Sequence, residues 1–178
     1  MASIFVCRLD QIAETAARHT ISEMISLVAA AQAFHRPGVI RADRHLNLAL
    51  NDIVDDRPGF VAPAEAHVEQ IIAFARGWDR SAPLLVHCWL GISRSPAAAL
   101  IAALAAVPDQ DDDALVQRLR AASPEATPNG RLIALADALL ERNGRLVRAV
   151  ERIGRGAEAR HGNVFQLIVD PREAVADD

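Results

Sequence analysis

At 178 residues, 51% hydrophobic and 24% charged, the chain has the size and balance of a single soluble domain with a substantial core. Its net charge of −4 gives no whole-protein attraction to nucleic acid or anionic membrane, and no apolar run approaches the roughly 20 residues of a membrane span. Two cysteines make neither a disulfide framework nor a thiolate metal site, and all 19 basic residues are arginine, which excludes every mechanism built on a lysine.

The six histidines show no metal-ligand spacing, so no metal or cofactor is implied. No basic segment with an apolar core opens the sequence, and the expectation is a cytoplasmic protein.

In chain order, residues 3–9 form an apolar run suited to a first strand. Asp10 is placed to cap an amphipathic helix over 11–19, and residues 21–28 are β-branched enough for a second strand. Residues 34–44 contain His-Arg-Pro-Gly and read as a turn followed by a strand. The alternation over 45–50 predicts another strand, which delivers Asn51 and Asp52 into a loop over 53–63. Residues 64–79 are helical, with Val68, Ile71, Ile72 and Ala75 along one face. Pro83 opens a strand ending at Cys88, and a helix runs from about Arg94 to Val107.

Asp111, Asp112 and Asp113 mark an acidic helix start that complements the helix dipole. Another helix is expected over 131–142, a last one around Leu146, Val147, Val150 and Ile153, and an extended stretch over 164–169. Alternating strands and helices predict an α/β fold, with a central, mostly parallel sheet flanked by helices.

The chemistry concentrates in residues 84–96, Leu-Leu-Val-His-Cys-Trp-Leu-Gly-Ile-Ser-Arg-Ser-Pro. Five residues between Cys88 and Arg94 suffice to close one tight loop between strand and helix. Such a loop can aim backbone N–H groups, from Trp89, Leu90, Gly91, Ile92, Ser93 and Arg94, at a single anion. The helix that follows adds its positive end, and Arg94 can grip two phosphoryl oxygens. A thiol in that field is held as the thiolate, the form that attacks. Gly91 stands where close backbone approach or a positive φ is needed.

This pattern resembles the signature of the cysteine-based protein tyrosine phosphatase superfamily, His-Cys-x5-Arg-Ser/Thr. Its wording is most similar to the dual-specificity branch and its bacterial relatives. With Cys88 fixed, matching Gly91, Arg94 and Ser95 by chance is on the order of one in a thousand. The resemblance covers roughly residues 20–142. It implies a phosphatase-like catalytic domain, placed over 1–142. Residues 143–178 have no counterpart in the resemblance and are expected to form a helical then extended appendage packed on the same domain. The resemblance also implies a phosphomonoester hydrolase acting through a phosphocysteine on a phosphorylated protein or small phosphomonoester.

Ser95 is expected to donate a hydrogen bond to the Cys88 sulfur, or else to cap the helix. His87 is expected to fix the loop by ring hydrogen bonds rather than act as a base. The resemblance implies an upstream aspartate as general acid. Asp52, Asp55 and Asp56 lie 36, 33 and 32 residues before Cys88; context favours Asp52, and spacing the other two. Pro128-Asn129-Gly130 resembles a later Pro-Asn segment near the phosphate, so Asn129 positions water or caps the next helix. Trp89 walls the pocket or buries beside it. Cys7 is expected in the core, with a protective disulfide to Cys88 as the alternative. Two other functions compete: a catalytically silent phosphate-binding module, and sulfur transfer of the rhodanese type, whose loops carry one residue fewer.

Overall fold

Three strands carry apolar side chains on both faces, and burial on both sides places them at the centre of a sheet. The computed structural model describes residues 2–171; positions 172–178 of the expected appendage lie outside the described residues. β1 (Ser3–Arg8), β2 (Glu23–Val28) and β4 (Leu84–Cys88) are the buried strands. β3 (His45–Ala49) and β5 (Phe165–Ile168) are half-exposed and lie at the edges. The order is β3-β2-β4-β1-β5, parallel except for β5, which runs antiparallel to β1.

One face of the sheet is covered by α1 (Ile12–Arg18) and by Phe34 and Ile40. The other packs against α2 (Glu65–Gly77), α3 (Arg94–Ala106), α4 (Asp112–Ala122) and α5 (Gly130–Leu139). Residues 94–105 of α3 are all buried, because this alanine-rich helix runs between the sheet and the other helices. An apolar surface all round is what such a position requires. Pro96 falls in its first turn, where no intrahelical donor is lost. No helix among the described residues is long and apolar enough to cross a membrane.

Asp111 caps α4 by accepting from Ala114 N at 2.8 Å. Its neighbours do something else. Asp112 is buried in a two-toothed pair with Arg142 (2.7 and 3.0 Å), and Asp113 pairs with Arg152. Those arginines tie α6 (Arg145–Ile153) and its approach to α4. Asp137 on α5 accepts from Gly144 N, Leu146 N and Val147 N, capping α6 from across the helix pair.

Two local expectations fail. Asp10 does not cap α1: its carboxylate takes the Arg8 Nε at 2.5 Å, and a 3-10 turn over Leu9–Gln11 leads into the helix. Residues 34–44 form no strand but a loop and a 3-10 turn at Ala42–Arg44. Their apolar members are used to cover the sheet face, with Ile40 wholly buried and Phe34 edge-on to the rings of His45 and His87.

Candidate active site

β4 ends at Cys88 between β1 and β2, so the loop of residues 89–93 emerges at the carboxyl ends of parallel strands, where α/β sheets place their ligands. Neighbouring segments hold that loop by its carbonyls. Trp89 O accepts from Leu9 N (3.3 Å), Leu90 O from Gly162 N (2.8 Å) and Ile92 O from Thr127 N (2.8 Å). Ser93 O accepts from Asn129 N and Ala97 N, both at 3.2 Å. In a trans peptide the N–H points opposite to the C=O. With these carbonyls turned outward, the amides of Leu90, Gly91, Ser93 and Arg94 turn inward, four of the six expected to face an anion. Gly91 N reaches Cys88 Sγ at 3.3 Å, which shows the direction.

Gly91 satisfies both readings of its role. Its φ is +74°, and a Cβ there would stand 3.1 Å from Arg8 N and 3.2 Å from Cys7 C. Any side chain would therefore push the loop off β1.

The sulfur of Cys88 is buried and lies 3.1 Å from Ser95 Oγ. Ser95 sits inside the first turn of α3 and is not its cap; Ser93 holds that position, and its hydroxyl goes elsewhere. Arg94 is 7% exposed. One terminal nitrogen donates to Leu50 O at 2.8 Å, while its Nε is buried with no hydrogen-bond partner among the described residues. A buried donor left without a partner is costly, which leaves Arg94 Nε open to an acceptor.

The acid-bearing loop begins where β3 ends. Asn51 closes its base: Asn51 N donates to Val61 O (2.7 Å), and Val61 N donates to Asn51 Oδ1 (2.9 Å). Asp52 follows, and its Oδ1 accepts from Ser93 Oγ and from Asn129 Nδ2, each at 2.8 Å. A hollow of about 380 Å³ opens beside Asp52, Arg57, Ser93 and Asn129. Asp56 is drawn away to Arg131 at 3.0 Å, and Asp55 is an exposed loop residue that does not line this hollow. Of the three aspartates, Asp52 is the one held against the loop that follows Cys88, through Ser93.

Asn129 caps the next helix, one of the two roles its position suggested, and its other end holds Asp52. Its Oδ1 caps α5 by accepting from Arg131 N and Leu132 N, both at 3.1 Å, and its amide faces Asp52.

His87 points to the other face of the sheet. Its Nε2 lies 2.6 Å from Ser26 Oγ on β2, and that hydroxyl is 2.8 Å from His45 Nε2. This ring bond runs to the neighbouring strand and not, as expected, to the loop. Burial pushes the His87 imidazole down to about 3 and also lowers His45, so the chain of rings is held neutral. Cys7 also faces away from Cys88, among Phe5, Ile12 and Leu85, and burial pushes its thiol up to about 12. A disulfide between the two cysteines would have to cross the sheet, so that alternative is set aside.

Trp89 and Leu90 are 47% and 42% exposed. Trp89 therefore does not bury beside the pocket; it lines a hollow on the other side of the loop from Asp52. The chain's motifs gave no warning of Gly162, 72 positions beyond Leu90, which donates to the loop and touches it closely. A single glycine in a polar turn carries no signal for such a contact.

No family model matches the sequence, and no curated protein matches it. Solved structures do. A mouse putative dual specificity phosphatase, complexed with zinc tungstate, superposes with a TM-score of 0.61 at 21% identity, over 83% of this chain and 86% of that one. Human DUSP28 gives 0.61 at 20% identity, over 79% and 92%; DUSP15 gives 0.59 at 19%, over 89% and 96%. A human tyrosine phosphatase-like serine/threonine/tyrosine-interacting protein gives 0.58 at 19% identity, over 79% and 92%. The chain has the fold of the dual-specificity branch of the cysteine-based phosphatases.

Proposed function

We propose that the chain is a phosphomonoester hydrolase that works through a phosphocysteine on Cys88, with phosphotyrosine as the leading substrate and phosphoserine or phosphothreonine as others. The observation that carries this reading is the Cys88 sulfur, lying below inward-turned amides with Ser95 Oγ at 3.1 Å and the Arg94 Nε unsatisfied nearby.

The thiolate attacks phosphorus, and the bond from phosphorus to the leaving oxygen breaks. The loop amides and the Arg94 guanidinium hold the equatorial oxygens; each such donor, where measured in other enzymes, is worth about 10²–10³ in rate. Asp52 protonates the leaving oxygen. Its Oδ1 already accepts two hydrogen bonds, so the proton to be given sits on Oδ2. Water then attacks the phosphocysteine and gives a proton back to Asp52. The sulfur–phosphorus bond breaks to regenerate thiolate, and the Ser95 hydroxyl stabilises the departing sulfur.

Release of phosphate from para-nitrophenyl phosphate under reducing conditions tests this, with Cys88→Ser as the inactive control. Acid quenching should trap phosphate on Cys88. Saturable phosphopeptide binding by the reduced wild-type protein, without any turnover, would instead establish the silent phosphate-binding module.

A further inference from the structure

A second hollow, of about 480 Å³, opens on the other flank of the phosphate loop, between Trp89, Leu90, Leu9, Arg8, Arg160 and His161. We propose that it is a specificity subsite for an anionic group flanking the phosphoresidue, with Arg160 as its charge partner. This assignment rests on the phosphatase reading and names the kind of substrate segment that site takes.

The hollow is lined by the two residues that follow Cys88, so a group bound there lies beside the loop that would hold the phosphate. Its apolar wall is the indole and the isobutyl group, suited to the carbon stem of a neighbouring side chain. Its polar wall comes from the C-terminal segment, which is fastened on both sides of Arg160. Gly156 N donates to Thr127 Oγ1 at 3.0 Å and Ala157 N to Pro124 O at 3.0 Å. Beyond it, Gly162 N holds Leu90 O, and Asn163 gives N (2.8 Å) and Nδ2 (3.1 Å) to Glu125 Oε1. Arg160 is thus presented on a fixed turn.

The charge inventory favours an anion. The one acid lining the hollow, Asp10, is already neutralised by the Arg8 Nε at 2.5 Å. Arg8 also reaches His161 Nδ1 at 2.5 Å. A guanidinium only donates, so Nδ1 is the acceptor and the imidazole proton is on Nε2, which remains a donor. Arg160 is exposed and makes no hydrogen bond or ion pair among the described residues. The nearest further acid, Glu158, lines the adjoining hollow with Arg155 and Arg160. The chain as a whole is acidic, so this attraction is local to the mouth.

The test is calorimetric binding of three phosphotyrosine peptides to the Cys88→Ser protein. One carries alanines on both sides of the phosphotyrosine, one carries glutamates, and one carries a phosphoserine beside it. The glutamate peptide should bind about fivefold tighter than the alanine peptide, the upper range for one exposed ion pair. The doubly phosphorylated peptide should bind at least as tightly, and both advantages should shrink as salt is raised. Arg160→Ala in the same background should bring the ratios close to one. Equal affinities for the three peptides, or an acidic preference that survives Arg160→Ala, overturns the proposal. Acidic preference in binding with no turnover by the wild-type protein would count against hydrolysis and leave this subsite standing. Absence of any phosphopeptide binding overturns both.

Discussion

Asn129 and Asp52, 77 positions apart, meet at 2.8 Å, with the asparagine amide donating to the carboxylate while its carbonyl oxygen caps α5. One side chain therefore fixes the start of a helix and the posture of the proposed general acid. Besides the backbone bonds from Thr127 N and Asn129 N, the loop bearing Asp52, the loop bearing Asn129 and the loop after Cys88 all meet at one oxygen atom, Asp52 Oδ1, which Ser93 also reaches.

The two duties of Asn129 can be separated. Asn129→Ala removes the cap and the amide, and should cost about 1 kcal/mol of stability together with at least a tenfold loss in kcat. Asn129→Asp keeps a good capping oxygen but sets a carboxylate against Asp52. It should retain most of the stability and still lose activity. Urea melts and initial rates on the two variants check this; an Asn129→Asp protein with wild-type kcat would show that the amide does not position the acid. Asp52→Asn should lose about 10²–10³ in kcat on phenyl phosphate, whose leaving group needs a proton, and far less on an ester with a strongly acidic leaving group. Equal losses on the two esters would remove Asp52 from the acid role.

Gly162 gives a second expectation. A Cβ there would stand 2.8 Å from Gly91 O and 3.3 Å from Leu90 O, both backbone atoms of the phosphate loop. Neither can yield without moving the amides that face the sulfur. Gly162→Ala should cost about 1–3 kcal/mol, as overpacking does, and lower kcat about tenfold to a hundredfold through misplaced donors. Gly38→Ala, with nothing within 4 Å of its new carbon, should change activity less than twofold. Steady-state rates beside thermal melts test the pair; unchanged turnover in Gly162→Ala would mean that the strap does not set the loop.

The contrast between Gly91 and Gly162 shows what the sequence could and could not reveal. Gly91 lies inside one contiguous segment with Cys88, Arg94 and Ser95, so local spacing alone places it. Asp52 was reachable because a predicted strand delivers it, although spacing to Cys88 pointed to Asp55 and Asp56. What decided the matter was three-dimensional: Arg131 draws Asp56 aside, and Ser93 and Asn129 hold Asp52. The Gly162 contact depends on α6 and β5 returning the chain across the sheet, and no periodicity encodes such a return. Residues 34–44 depart from the expected strand for a related reason. Their apolar pattern fits a strand, but β3 already occupies that edge of the sheet, so Phe34 and Ile40 cover a face instead.

The buried His87 ring behind the loop, linked through Ser26 to the half-buried His45, sets the last expectation, on pH. His87 is wholly buried and its imidazole lies near 3 in the folded chain, against about 6.5 when unfolded. Between those values the unfolded state binds a proton that the folded state refuses, so stability must rise with pH across that window. His45, lowered by the same cause, adds in the same direction. Unfolding free energy should therefore be lower at pH 5 than at pH 7.5, by on the order of 2 kcal/mol from His87 alone. His87→Asn keeps a polar group opposite Ser26 but cannot titrate. Its urea midpoint should vary less between pH 5 and pH 7.5 than that of the wild-type protein, whatever its absolute stability. A variant with the full wild-type dependence would place the acid sensitivity elsewhere, and His87 would then be no more than a packing residue between β4 and β2.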